Sequence, residues 1–292
     1  MFRQFRHDRA LRRAYDRYDA DDYTDAARLF QKACEVLPSS WEAQFGLGVV
    51  EKWLCHWEEC LVASLNSTRL RPDFEGSWWN VGIAATALSQ WRQAREAWCH
   101  AGVQMEVSDE PVELKFGNVP IRLKTTNNEV LWCRRLDPAR ARIENVPTED
   151  SLHRCGDLLL IDGEPVGTRK TDGEEVPVFN ELQILARSKM GTFVVEVNQV
   201  LESEIKELCK AESENLKIED WSTLRILCRK CSEGTPHEQH DHEGGISDEL
   251  PSSRKIAFAA LSRDAVIETL SAWHASNQAG VGDVECLIEP CA

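Results

Sequence analysis

Five residues within a fifteen-residue span, Cys228, Cys231, His237, His240 and His242, have the types and spacing to hold a metal ion. Thiolate and imidazole are the donors zinc prefers, and a Cys-x-x-Cys turn can grip one ion with both sulfurs. Any two of the three histidines would complete a tetrahedral set, and His237 with His242 leaves two, five and four residues between successive ligands. The expectation is a structural Zn2+. An exposed loop without metal and a redox or catalytic metal site stay open beside it. Glu233, Glu238 and Asp241 are near enough to act as acid or base, but the HExxH spacing of zinc hydrolases is absent. No catalytic residue is assigned, because no Gly-x-Ser-x-Gly elbow occurs and the other cysteines have no evident histidine partner. Gly280-Val281-Gly282 lacks the third glycine and following helix of a phosphate-cradling loop, so no nucleotide cofactor is expected.

That loop belongs to residues 188–292, where β-formers and helical spacing alternate in order. Strands are expected at Gly191–Val197, Trp221–Leu227, Lys255–Leu261 and Val281–Glu289, and helices at Leu201–Ala211 and Ala265–Ser276, the latter with Asp264 as N-cap. The order is βαββαβ, a ferredoxin-like arrangement. Residues 109–187 read as a small β-rich domain, with strands at Glu113–Leu114, Pro120–Lys124, Glu129–Arg134, Asp157–Ile161 and Glu175–Phe179. Turns are expected at Gly117-Asn118, Asn127-Asn128, Asp162-Gly163 and Asp172-Gly173. Within it, Trp132 to Arg142 concentrates arginines, which could hold a phosphate or simply pair with the protein's own carboxylates.

Residues 1–108 are different. Pro38 and Pro72, Trp41 and Glu75, Gly48 and Gly82, and Trp57 and Trp91 each lie 34 residues apart, and the same interval relates Phe30, Ser64 and Trp98. A 34-residue period is that of stacked helix-turn-helix units. On Ala14, Tyr23, Ala26, Phe30, Ala33 and Pro38, then Leu47, Gly48, Trp57 and Pro72, then Trp78, Gly82, Trp91, Ala94, Trp98 and Ala101, this third of the chain resembles the tetratricopeptide repeat (TPR) family. The resemblance implies a solenoid of three helix pairs whose concave groove takes a protein or peptide partner. The first helix of each pair lines that groove in the family, which points to Phe45, Val49, Lys52, Trp79, Asn80 and Ile83. Where the family's chaperone-binding members carry a Lys, Asn and Arg clamp, this chain has Leu11, Tyr15, Gly46, Gly76 and Asn80, and four of these five depart from it. The Cys/His loop spacing also resembles a zinc knuckle, with His in place of the last Cys.

The fold class is therefore α+β multidomain: an α-solenoid, a β-rich middle and a ferredoxin-like end. With 292 residues, 42% of them hydrophobic, each part can bury a core. A net charge of −15 argues against nucleic-acid backbones as partners. Arg3, Arg6, Arg9, Arg12 and Arg13 would give the first helix one basic face, read as solvated and paired with Asp16, Asp19, Asp21 and Asp22 rather than as a membrane or nucleic-acid contact. No signal peptide or long apolar span is present, so a cytoplasmic protein with no membrane association is expected, its eleven cysteines mostly buried thiols. The leading function is a non-enzymatic adaptor. The rivals are a metal-dependent, hydrolase-like enzyme using the Cys/His loop, and an immunity-like inhibitor of a basic toxin.

Overall fold

The computed structural model describes residues 2–125, 129–171, 174–223, 253–275, 277 and 279–291. The chain folds into two compact units. The first comprises Met1–Leu114 together with two short later segments, Asp137–Ala139 and Leu160–Gly163; the second comprises the rest.

The first unit is built from helices α1 (Phe2–Tyr18), α2 (Tyr23–Val36), α3 (Trp41–Trp53), α4 (Trp57–Leu70), α5 (Glu75–Ala87) and α6 (Trp91–His100). Asp22 and Ser40 cap α2 and α3 by accepting the Asp25 and Ala43 amide hydrogens, each at 3.2 Å. The 34-residue period recurs in the backbone itself. Asp21, Cys55 and Ser89 have φ of 57°, 60° and 57° and close the first helix of each pair in the left-handed region. After each, the next amide donates back across the turn: Asp22 to the Arg17 carbonyl (3.0 Å), His56 to Glu51 (2.9 Å) and Gln90 to Ala85 (2.8 Å). A non-glycine residue in that conformation costs on the order of 1 kcal/mol. Ser89→Gly is accordingly expected to raise the stability of this unit by about that amount, read as a higher midpoint in urea.

The period also sets the packing. At Gly82 a β-carbon would stand 2.5 Å from the Trp98 ring, so the absent side chain lets α6 seat its tryptophan on α5. Trp57 and Trp98 are buried, whereas Trp41, Trp78 and Trp91 are only half-buried. The Arg71 guanidinium covers the Trp41 ring at 4.3 Å, and Trp78 stacks on His100 at 4.0 Å. The last repeat is covered by the segment after it, since Arg95 donates to the Glu106 and Glu110 carbonyls at 2.7 and 2.6 Å and Arg92 grips the Asp109 carboxylate.

The strands β1 (Asn118–Arg122), β2 (Val130–Arg135), β3 (Arg140–Ile143), β4 (Leu158–Thr171, which includes Leu160–Gly163 of the first unit) and β5 (Glu174–Ala186) close a barrel in that order, β1 running parallel to β5 with Ile121 opposite Phe179. No strand forms at Glu113–Leu114, and β3 arises inside the arginine-rich stretch. Its arginines are engaged: Arg134 with Glu144 at 3.3 Å, Arg135 over the Phe179 ring at 4.6 Å, Arg142 with the Gly156 carbonyl at 3.4 Å, and Arg140 buried.

The remaining elements are β6 (Gly191–Asn198), α7 (Glu202–Cys209), β7 (Leu216–Asp220), β8 (Ser253–Ala260), α8 (Arg263–His274), β9 (Gly280–Val281) and β10 (Glu285–Ile288). The sheet runs β10-β6-β8-β7, every pairing antiparallel, with β9 against β6. Phe193, Val195, Ile205, Ile218, Phe258, Val266 and Trp273 form its core. The strand beside β8 lies at Leu216–Asp220, upstream of the expected Trp221–Leu227, of which Trp221–Thr223 form a short 3-10 turn and residues 224–227 lie outside the described residues. Leu216, Ile218 and Asp220 alternate inward there, and Asp220 ends it by accepting the Ser222 amide hydrogen at 2.9 Å. Ser262, not Asp264, caps α8.

Glu219 on β7 accepts the Val146 amide at 2.8 Å and the Asn145 side chain at 2.9 Å. Burial raises its carboxyl from 4.5 to about 7. A raised folded-state value means the folded chain holds this proton more tightly than the unfolded one. The stabilisation is present in full below 4.5 and is lost as pH rises through about 7. Thermal melts over that range should show the wild type declining relative to Glu219→Gln, which cannot ionise.

Candidate functional site

Phe45, Val49 and Lys52 lie at i, i+4 and i+7 on α3, so they form one stripe along it, and Trp79, Asn80 and Ile83 occupy the matching part of α5. Phe45, Val49 and Trp79 are half-buried, whereas Lys52, Asn80 and Ile83 are buried. The Lys52 ammonium sits 2.9 Å from both oxygens of Asp162, and the two side chains are each only 6% exposed. One residue on, a β-carbon at Gly163 would stand 2.6 Å from the Trp79 ring, so the indole lies directly against the glycine backbone. The ring also makes an edge contact with Trp98 at 5.0 Å, and its Nε1 donates to Glu75 at 2.8 Å. The Ile161 amide donates to the Ala139 carbonyl at 2.8 Å, and the Asp137 carboxylate accepts the Ala139 amide hydrogen at 2.8 Å, tying the two inserted segments together.

This part of the groove thus already holds an extended stretch of the protein's own chain, with an acid for Lys52 and a glycine for Trp79. The Asp162-Gly163 pair, whose composition suggests a turn, lies within the continuous strand β4, because here glycine serves close approach of an aromatic ring to the backbone. Asp162 and Gly163 are the site residues that local composition leaves out.

The other end is more open. Tyr15 of α1 is 41% exposed and meets Phe30 edge-on at 5.1 Å; burial raises its phenol, with the nearby Glu42 charge adding to the effect. Phe45 meets Phe74 at 4.9 Å, and Phe74 meets Trp41 at 4.9 Å. The groove therefore runs from an aromatic, half-exposed end to a charged, filled one.

Cys228, Cys231, His237, His240 and His242 lie outside the described residues, as do Glu233, Glu238, Asp241 and the Asn127-Asn128 and Asp172-Gly173 turns. Among the described residues no group of His, Cys, Asp and Glu is placed to hold a metal ion. Burial pushes the Cys34, Cys60 and Cys155 thiols up to about 12 and Cys133 well above its usual value, so these are packing residues and not nucleophiles. No described helix is long and apolar enough to cross a membrane.

No protein-family profile and no curated protein matches the chain. Among solved structures, the helical part is similar to the TPR2B domain of yeast Sti1 in its complex with pHsp70, at 13% identity over 33% of this chain and 78% of that one, TM-score 0.32. It is also similar to a CopN–Scc3 complex, at 19% identity over 32% of this chain and 56% of that one, TM-score 0.32. A third is the TPR domain of Sgt2 from Aspergillus fumigatus, at 16% identity over 32% of this chain and 63% of that one, TM-score 0.31. The first third of the chain is a stack of three helix pairs that repeat every 34 residues.

Proposed function

We propose that this protein is a protein-interaction scaffold in which the open end of the helical groove, at Tyr15, Phe45 and Val49, takes an extended segment of a partner protein. The observation that supports it is the Asp162–Gly163 stretch lying between Lys52 and Trp79, an extended strand already accommodated by these helices. Aromatic side chains that are rigid and half-exposed are the usual anchors of such contacts. On this reading residues 1–108 are the interaction module, 109–187 a β-rich companion and 188–292 a ferredoxin-like one, the last supported by the antiparallel order β10-β6-β8-β7. A cytoplasmic setting and a structural zinc on Cys228, Cys231 and two of the three histidines belong to the same reading; the zinc rests on ligand chemistry, and elemental analysis of protein purified without a histidine tag tests it.

The scaffold itself is tested with a photo-crosslinking amino acid at Phe45 and, as control, at the exposed Glu96 of α6. A partner trapped from Phe45 alone, whose purified form binds the wild type in calorimetry and fails to bind Tyr15→Ala/Phe45→Ala, is the expected result. Absence of any Phe45-specific adduct would sink the proposal.

A further inference from the structure

Two surfaces of the first unit have opposite character and are not used by the groove. Phe2, Phe5, Arg6 and Arg9 lie at i, i+3, i+4 and i+7 on α1, forming a stripe separate from the buried His7, Ala10 and Ala14. Phe2 and Phe5 are 78% and 66% exposed, the most exposed aromatic side chains among the described residues of this unit. Arg6 and Arg9 are exposed and make no hydrogen bond or ion pair among the described residues. Pairing with Asp16, Asp19, Asp21 and Asp22 was expected, but Asp22 engages Arg17 instead, as does Asp25.

The second surface is a cleft of about 380 Å³ shared by α2, α3 and α4. Cys34, Leu47 and Ala63 form an apolar floor, and Glu51, Glu58 and Glu59 stand among its lining with the 60% exposed Val62. Glu51 already meets His56 at 2.8 Å, whereas Glu58 and Glu59 make no ion pair among the described residues. The volume falls within the roughly 300–1,000 Å³ that holds ligand-sized apolar groups. An apolar floor with an acidic rim complements phenyl rings flanked by guanidinium groups. Helix α2 connects the two surfaces: it lines the cleft with Gln31 and Cys34, and its Val36 carbonyl accepts from Arg3 of α1. Adjacent complementary patches on one chain are the requirement for an isologous, two-fold contact, in which each patch is used twice.

We propose that two copies of this chain form a two-fold dimer in which the Phe2, Phe5, Arg6 and Arg9 stripe of each α1 enters the acid-rimmed cleft between α2, α3 and α4 of the other. Charge complementarity selects a second copy over an anionic membrane. An anionic membrane would engage the α1 stripe alone and leave the acid-rimmed cleft uncovered, whereas a second copy offers the stripe both the negative charge and the apolar floor of that cleft.

The test is light scattering of the full chain across a concentration series at low and high salt. The wild type is expected to reach twice the single-chain mass at low salt and to dissociate as salt rises. Arg6→Glu/Arg9→Glu and Glu58→Arg/Glu59→Arg should each abolish the dimer, and mixing the two should restore it, because both contacts of the mixed pair then regain opposite charges. Phe2→Ala/Phe5→Ala, at exposed positions where folding is unaffected, should also give single chains. A wild type that stays single at every concentration, a dimer that survives both reversals, or a single chain that pellets with phosphatidylserine vesicles through α1 would overturn it.

Discussion

Lys52→Met is expected to destabilise the helical unit by about 3–5 kcal/mol, the range found when one partner of a buried ion pair is removed. The size follows from burial: the ammonium and the Asp162 carboxylate are each 6% exposed, so water cannot replace the lost counter-charge. Surface pairs in the same chain, such as Lys206 with Glu202, are screened by water and contribute little. Replacing both partners, Lys52→Met with Asp162→Leu, is expected to recover most of the loss, because apolar groups of similar volume need no pairing. Urea unfolding of the full chain followed by tryptophan fluorescence reads it, since Trp79 lies on Gly163 beside the pair. A loss below about 1 kcal/mol for Lys52→Met would show the pair to be solvent-screened. A double variant no more stable than the single one would show that the ion pair itself, and not the removal of an uncompensated charge, holds this stretch in the groove.

That pair also marks where sequence and structure part. The 34-residue interval was fully legible, because a repeat writes the same packing demand several times: Gly82 beneath Trp98 answers to spacing alone. That Phe45, Val49 and Lys52 share one stripe of α3, and that Trp79, Asn80 and Ile83 take the matching part of α5, was legible for the same reason. What fills it was not, since Asp162 and Gly163 lie far along the chain from Lys52 and Trp79, and an Asp-Gly pair viewed locally signals a turn. In the second unit, hydrophobic alternation located most strands. It misplaced the second strand of the β6–β10 sheet because Trp221 through Leu227 is richer in apolar and β-forming types than Leu216 to Asp220, which is chosen by its partner β8. The arginines of Trp132 to Arg142 could be read as pairing with the protein's own carboxylates, as Arg134 does with Glu144, but a phosphate site stayed open beside that reading because the partners are supplied by the register of neighbouring strands.

A second large effect is expected from His153→Leu in the barrel. His153 is 5% exposed; its Nδ1 faces the Ser151 carbonyl at 2.7 Å and its Nε2 faces Glu181 Oε1 at 2.9 Å, while the other Glu181 oxygen accepts the Lys124 amide at 2.7 Å. A carbonyl can only accept, and so can a carboxylate, so both ring nitrogens must donate and the ring is an imidazolium. Burial opposes that charge, but the hydrogen bond and negative charge of Glu181 outweigh it, and the net shift is upward from 6.5. Removing the ring leaves Glu181 buried without a cation, at a cost of about 3–5 kcal/mol. Because the folded-state value is raised, the pair's stabilisation is complete below 6.5 and disappears as pH climbs through the raised value. The gap between wild type and His153→Leu in urea midpoints should therefore be widest in mild acid and narrow in alkali. A gap that keeps its width across the whole range would place the shared proton on Glu181 and leave His153 neutral.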